Sequence, residues 1–144
     1  MVVGGIEAGG TKFICAVGTG PDDLEISRPI ATRSPEETMK DVLQFFAGRK
    51  LKRIGIGSFG PVDHQRGIIS RTTPKLDWRG VPIQSIVEKE LKVKVVFDTD
   101  VNAAALSEHR WGAAAGCNDF VYITVGTGIG GGAMLNGQLV QGLS

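Results

Sequence analysis

The run Val93-Lys94-Val95-Val96-Phe97 passes without a break into Asp98-Thr99-Asp100-Val101-Asn102 and then into Ala103-Ala104-Ala105-Leu106. A β-branched apolar strand that ends in acids and feeds a helix start restricts the chain to an α/β architecture. It puts a carboxylate at the carboxyl end of a parallel-type sheet, the edge where open sheets bind ligands. Asp100 is the candidate catalytic residue. Asp and Asn are also preferred N-caps, since their side-chain oxygens accept from the free amides of a first turn. Capping is therefore the competing reading at this junction, and for Asp98 a structural, supporting role is the preferred one.

Two glycine-rich turns, Gly9-Gly10-Thr11-Lys12 and Gly126-Thr127-Gly128, each follow an apolar strand-like run. Glycine lets backbone amides approach an anion with no side chain in the way, and successive amides form phosphate-binding concavities. An acid together with two such turns points to phosphoryl transfer. The first turn joins two strands, Val2 to Ile6 and Phe13 to Val17. It is therefore neither a P-loop nor a dinucleotide fingerprint, both of which need the glycines to open a helix.

The rest of the chain reads as alternating strands and helices. Leu24 to Thr32 can supply a third antiparallel strand. Ser34-Pro35-Glu36-Glu37 is a helix start with Ser34 as cap and Glu37 three residues on, and Met39, Val42, Leu43 and Phe46 give that helix an apolar face. Arg53 to Gly57 is a short central strand leading into Ser58-Phe59-Gly60-Pro61-Val62-Asp63. His64 to Gly80 is a long polar excursion with a short strand at Ile68-Ile69, and loops this long in compact domains are usually functional. A helix follows Pro82 through Leu91, another runs from Asn102 to Trp111, and Phe120 to Val125 and Gly130 to Leu135 are strands. Asn136-Gly137 signals a two-residue hairpin. The small, polar stretch from Ala113 to Asn118 is the expected boundary between a first unit, residues 1–117, and the opening hairpin of a second, residues 118–144.

With 16 basic and 15 acidic residues the net charge is +1, which gives no footprint for a nucleic-acid partner. No apolar run approaches the ~20 residues that cross a bilayer. Cys15 and Cys117 read as buried thiols, so a reducing, cytoplasmic setting is expected. His64 and His109 have no neighbours at metal-ligand spacing. Asp63 reads equally as fixing its own loop or as touching a ligand. Trp78 and Trp111 read as packing residues, with Trp78 alternatively edging a ligand site.

Four motifs in order, Gly4 to Lys12, Ile56 to Asp63, Asp98 to Ala105 and Gly126 to Gly130, resemble the ROK family of sugar kinases, and the fructokinase-type branch within it. The resemblance covers nearly the whole chain. It implies an α/β fold of the actin-like ATPase (ribonuclease H-like) type: one lobe with a mixed β-sheet and flanking helices, plus the opening β-hairpin of a second lobe. It implies ATP-dependent phosphorylation of a hexose, fructose to fructose 6-phosphate, with Asp100 as general base. Asn102 is implied to hydrogen-bond the sugar, and Ser58, Gly60 and Pro61 to line the sugar side of the cleft. Gly9, Gly10, Thr11 and Lys12 match the first phosphate turn, and Gly126, Thr127 and Gly128 the second. Lys12 has a plainer reading as a solvated hairpin lysine.

Glu7 stands at the position implied to contact Mg²⁺ through water, so ATP and Mg²⁺ are the expected cofactors. An aspartate of ordinary pKa suffices as base, because the proton leaves late in a loose transition state. The family's Glu-x-Gly-His motif and cysteine-rich zinc loop would follow Gln141 to Ser144, so an amino-terminal piece without the zinc site is expected. Apolar strand edges between Phe120 and Leu139 imply self-association into a homo-oligomer. The alternatives are a kinase for glucose, mannose or N-acetylmannosamine, a non-catalytic sugar-sensing protein, or a ROK repressor. Repressors of the family carry a DNA-binding helix-turn-helix ahead of the first strand, whereas here Met1 opens directly on it.

Overall fold

The computed structural model describes residues 1–126 and 128–141. The chain opens with strands β1 (Val3–Ala8), β2 (Lys12–Gly20), β3 (Asp23–Ile26) and β4 (Ile30–Ala31), followed by helix α1 (Pro35–Phe46) and strand β5 (Arg53–Ser58). Two short strands, β6 (Val62–Asp63) and β7 (Ile68–Ile69), and a single 3₁₀ turn, Leu76–Trp78, make up the polar excursion. Helix α2 (Ile83–Leu91), strand β8 (Lys94–Thr99), helix α3 (Asp100–Trp111) and strands β9 (Phe120–Val125), β10 (Ile129–Leu135) and β11 (Gln138–Leu139) complete it.

The main sheet runs β3-β2-β1-β5-β8, with β4 also on β2. β1 is antiparallel to β2 and parallel to β5, and β5 is parallel to β8. The carboxyl ends of β1, β5 and β8 therefore share one edge, as the acid-ended strand predicts. The segment read as one strand from Leu24 to Thr32 is two. Pro29 lies between them and has no amide to donate to a ladder, and Cys15 is bridged there by the Ser27 hydroxyl, which accepts from its N–H at 2.9 Å.

Alternation along β5 sends Ile54 and Ile56 to one face and Gly55 and Gly57 to the other. The first face carries the core, with Ile6, Phe13, Ile54, Ile56, Val95 and Phe97 against Met39, Val42 and Phe46 of α1 and Ile83 and Val87 of α2. Full burial of such a side chain stabilises the fold by about 1.5–3 kcal/mol. α1 begins as its sequence requires: Glu37 N–H donates to Ser34 Oγ at 3.3 Å, and Ser34 Oγ donates to the Glu37 carboxylate at 2.9 Å. At the β10–β11 turn Asn136 and Gly137 both have positive φ, 51° and 70°, the conformation of a type I′ hairpin.

Two expectations about burial are corrected. Cys15 is buried and its thiol is pushed up to about 12 by that burial, the Ser27 hydroxyl pulling the other way, but Cys117 is exposed because it sits in the turn after α3 and not in a strand. Trp78 is fully buried, whereas Trp111, at the last position of α3, is 61% exposed. Asp63 does fix its own loop, accepting from Arg66 N–H at 3.0 Å. Val121, Ile123 and Val125 share one face of β9 and are all exposed. Among the described residues no helix is long and apolar enough to cross a membrane.

Candidate active site

α3 lies on the glycine face of the main sheet, wedged between it and the β9–β10–β11 sheet. Both sheets admit it through glycines. A Cβ on Gly57 would stand 3.0 Å from Ala103 Cβ and 3.4 Å from Asp100 Cα. On the other side, a Cβ on Gly132 would stand 2.6 Å from the Val101 carbonyl oxygen and 3.1 Å from Asn102 Oδ1. The first turn of α3 is thus clamped between two backbones. Gly132→Ala must displace that turn and Asp100 with it, because the atom met is backbone and cannot rotate away. The expected cost is about 1–3 kcal/mol, read as a lower urea midpoint. An unchanged midpoint would show that the clamp is loose.

The cap of α3 is the residue between the two acids. Thr99, and neither Asp98 nor Asp100, is the N-cap, its Oγ1 accepting from Asn102 N–H at 3.2 Å. Asp98 instead binds inward: its Oδ1 accepts from Thr99 N–H at 2.7 Å and from Asn102 Nδ2 at 2.8 Å, with His64 Nε2 3.8 Å away. Asp100 is released from capping. Among the described residues its Oδ1 accepts one local bond, from Val101 N–H at 2.9 Å. Burial pushes the Asp100 carboxyl above its ordinary range, partly offset by that backbone bond.

Asp100 opens on a cleft of about 790 Å³ between the carboxyl edge of the main sheet and the β9–β10 turn. Gly10 and Thr11 from the first turn, Gly60 and Pro61 from the loop after β5, and Gly126 and Gly128 from the second turn line the same space. The first turn needs its glycine, since a Cβ on Gly9 would lie 2.5 Å from the Lys12 carbonyl that its own N–H bonds. Thr32 braces it from behind, its hydroxyl donating to Gly9 O at 2.7 Å and its N–H to Thr11 O at 2.9 Å. In the second turn Gly126 N–H donates to Gly128 O at 2.9 Å. Among the described residues, and setting aside its chain neighbours, a Cβ on Gly10, Gly126 or Gly128 would meet no atom within 4 Å, so backbone without side chains borders the cleft at these glycines.

Other candidates stand elsewhere. Ser58 is fully buried and donates its hydroxyl to Phe59 O at 2.9 Å. Asn102 is 7% exposed with its amide nitrogen held by Asp98. Neither Gly9 nor Lys12 lines the cleft, and Lys12 is exposed at the start of β2. Thr127 lies outside the described residues. Glu7 is exposed and pairs in register with Gly57, hence on the face that α3 occupies. Thr73, Lys75 and Thr99 line the cleft and were missed from the sequence. The length of the polar excursion was the one signal for the first two.

A slightly larger hollow, about 890 Å³, lies between the carboxyl ends of α1 and α2. Neither Asp100 nor either glycine turn reaches it.

The chain is 49% identical over 148 residues to a Bacillus subtilis (strain 168) protein provisionally named a fructokinase, an alignment covering 99% of this chain and 49% of that protein. It is 37% identical to the fructokinase of Lactococcus lactis subsp. cremoris, covering 97% of this chain and 49% of that one. A ROK family glucokinase from Streptomyces griseus, solved with glucose and AMPPNP, superposes with a TM-score of 0.86 at 33% identity, over 99% of this chain and 47% of the other. The chain thus spans about half the length of the curated relatives it matches. Its fold is the actin-like, mixed α/β fold of those kinases. With the ROK family pattern matching residues 3–144, the chain belongs to the ROK family.

Proposed function

We propose that this chain carries the phosphoryl-transfer site of an ATP-dependent hexose kinase, with fructose as acceptor and fructose 6-phosphate as product. One observation carries the reading: Asp100 is the only carboxylate among the described residues lining a cleft that two glycine turns border with exposed backbone. The fructokinase names of the 49% and 37% identical relatives favour fructose, and the glucose and AMPPNP of the Streptomyces griseus enzyme speak for a hexose and ATP.

In the reaction, the sugar hydroxyl oxygen forms its bond to the γ-phosphorus as the bond from that phosphorus to the β,γ-bridging oxygen breaks. The hydroxyl proton passes to Asp100, and ADP leaves with the electron pair of the broken bond. Such transfer depends on positioning and charge neutralisation more than on covalent participation by the protein. Backbone amides at Gly10, Thr11 and Gly128 would hold the phosphates, while the Gly60–Pro61 loop would border the sugar. Clamping of α3 between glycines keeps Asp100 fixed while the acceptor is aligned, and misplacement by ~1 Å costs ~10²-fold in such sites.

Mg²⁺ fits the residues present in a limited way. Among the described residues no three His, Cys, Asp or Glu side chains group to hold a metal. Mg²⁺ at nucleotide sites keeps several waters and takes one or two carboxylates besides phosphate oxygens, which the exposed Glu7 on the α3 face can supply through water. When bound, the ion would neutralise phosphate charge. Two further assignments belong to this reading: a lobe boundary near residue 117, and a cytoplasmic setting consistent with ATP as donor.

The test is sugar-dependent ADP release by the complete protein, offered ATP, Mg²⁺ and fructose, glucose, mannose or N-acetylmannosamine in turn. The expected result is the highest kcat/KM with fructose. A higher value with glucose or mannose would move the substrate, and ADP release independent of every sugar would remove the kinase reading.

A further inference from the structure

We propose that Lys75 supplies the cation that meets the transferred phosphoryl group, the part the sequence motif would give to Lys12. Among the described residues that line the cleft, Lys75 is the one cation and Asp100 the one anion. The Lys75 ammonium donates to the carbonyl oxygen of Gly10, in the first glycine turn, at 2.6 Å. That bond uses one of three donors, and no carboxylate among the described residues pairs with the charge. A neutral carbonyl does not neutralise an ammonium, so the remaining charge is available to an anion in the cleft.

The segment that presents Lys75 is built to hold it there. Thr73, fully buried, donates its hydroxyl to Gly60 O at 3.2 Å, tying the segment to the loop on the proposed sugar side. Arg79 Nε donates to Thr73 O at 2.9 Å. The 3₁₀ turn that follows Lys75 is anchored by Trp78, fully buried between Phe13 and Phe59, with its indole N–H donating to Arg33 O at 3.0 Å. Lys75 thus bridges the two sides of the cleft, from the Gly60 loop to the Gly10 turn, where phosphorus passes from nucleotide to acceptor. Lys12 is exposed and outside the cleft.

An ammonium acts on phosphate as a point charge. In this role Lys75 neutralises charge on the non-bridging oxygens of the γ-phosphoryl and moves no proton. The inference rests on the kinase reading for its catalytic half, and its binding half stands apart from it. A tether to Gly10 alone needs a hydrogen-bond donor but no charge, which separates the two roles.

The experiment compares Lys75→Gln, which keeps a donor and loses the charge, with Lys75→Arg, which keeps both, in the complete protein. Calorimetry with AMPPNP and with ADP, each with Mg²⁺, gives the binding ratio, and thermal melts check folding. Lys75→Gln is expected to lose about 10-fold in AMPPNP affinity with ADP affinity unchanged, and at least about 10-fold in kcat with the sugar KM held, a modest loss for one charge contact. Lys75→Arg should recover most of both. Wild-type AMPPNP affinity in Lys75→Gln, or equal losses for AMPPNP and ADP, would overturn the proposal. Were the wild-type protein to phosphorylate no sugar, the kinase reading would fail while the AMPPNP-to-ADP ratio still decided Lys75.

Discussion

Asp100→Asn is expected to lower turnover by about 10²–10⁴-fold, the range a positioned general base contributes, while sugar and nucleotide affinities stay near wild type. The amide keeps the shape of the side chain and the bond from Val101 N–H, and loses only the ability to take a proton. Burial raises the Asp100 carboxyl above its ordinary value, and the sign of that shift makes two further results follow. The base must be ionised, so the acid limb of kcat/KM should lie above the ordinary carboxylate value of about 3.9, with activity lost as pH falls through the raised value. For stability, the folded chain binds this proton more readily than the unfolded chain. The contribution is therefore present below the unfolded pKa and lost as pH rises through the raised folded pKa.

At neutral pH the ionised Asp100 is a net cost to folding, and Asp100→Asn should melt at or above the wild-type temperature. Retained turnover would take Asp100 out of the mechanism. A lower melting temperature would mean that its carboxylate makes a stabilising contact beyond the Val101 bond.

The second large effect concerns Trp78. Truncation to alanine is expected to cost about 3–5 kcal/mol, a large fraction of the 5–15 kcal/mol that holds a typical domain together. The indole is fully buried, with ring centroids 5.2 Å from Phe13 and 5.9 Å from Phe59, and its N–H satisfies Arg33 O. Phe13 belongs to β2 and Phe59 to the loop after β5, so one side chain joins the main sheet to the wall of the cleft. Trp78→Phe keeps part of the packing but leaves the Arg33 carbonyl without its donor, for about 1–3 kcal/mol. Urea denaturation of both variants would check the order. A loss below about 1 kcal/mol in Trp78→Ala, well short of the usual range for a buried aromatic, would mean that the excursion is held mainly by Thr73 and Arg79.

Features governed by local chemistry were legible in the sequence. The Ser34 cap, the Asn136-Gly137 turn, the acid-ended strand before α3 and the glycine turn between β1 and β2 each rest on neighbours within a few residues, where backbone preference decides. Pairings across the chain were not. Three cap-capable residues, Asp98, Thr99 and Asp100, stand in a row, and only the fold fixes Thr99 as the cap and frees Asp100 for the cleft. Asn102 offers an amide that could meet a sugar, yet Asp98, one helical turn away, holds its nitrogen. Lys12 had the motif position, whereas the lysine that lines the cleft is Lys75, 65 residues from the Gly10 it bonds. Gly130 to Leu135 read simply as a strand, but Gly130 and Gly132 serve α3: a Cβ on Gly130 would stand 2.7 Å from Val101 Cγ1. Such roles depend on which surfaces meet, which periodicity along one element does not encode.

The arrangement also gives a role to six of the chain's 21 glycines. Glycines serve two distinct needs at one place: backbone without a side chain beside the cleft at Gly10, Gly126 and Gly128, and close approach of α3 at Gly57, Gly130 and Gly132. Both converge on Asp100.

The most direct measurement follows phosphorus itself, by ³¹P NMR of ATP, Mg²⁺ and fructose with the complete wild-type protein and its Asp100→Asn variant. The account predicts loss of the γ-phosphate signal matched one for one by a hexose 6-phosphate ester with the wild type, and an unchanged ATP spectrum over the same period with the variant. Release of inorganic phosphate in place of the ester, or the same ester formed at the same rate by Asp100→Asn, would contradict it.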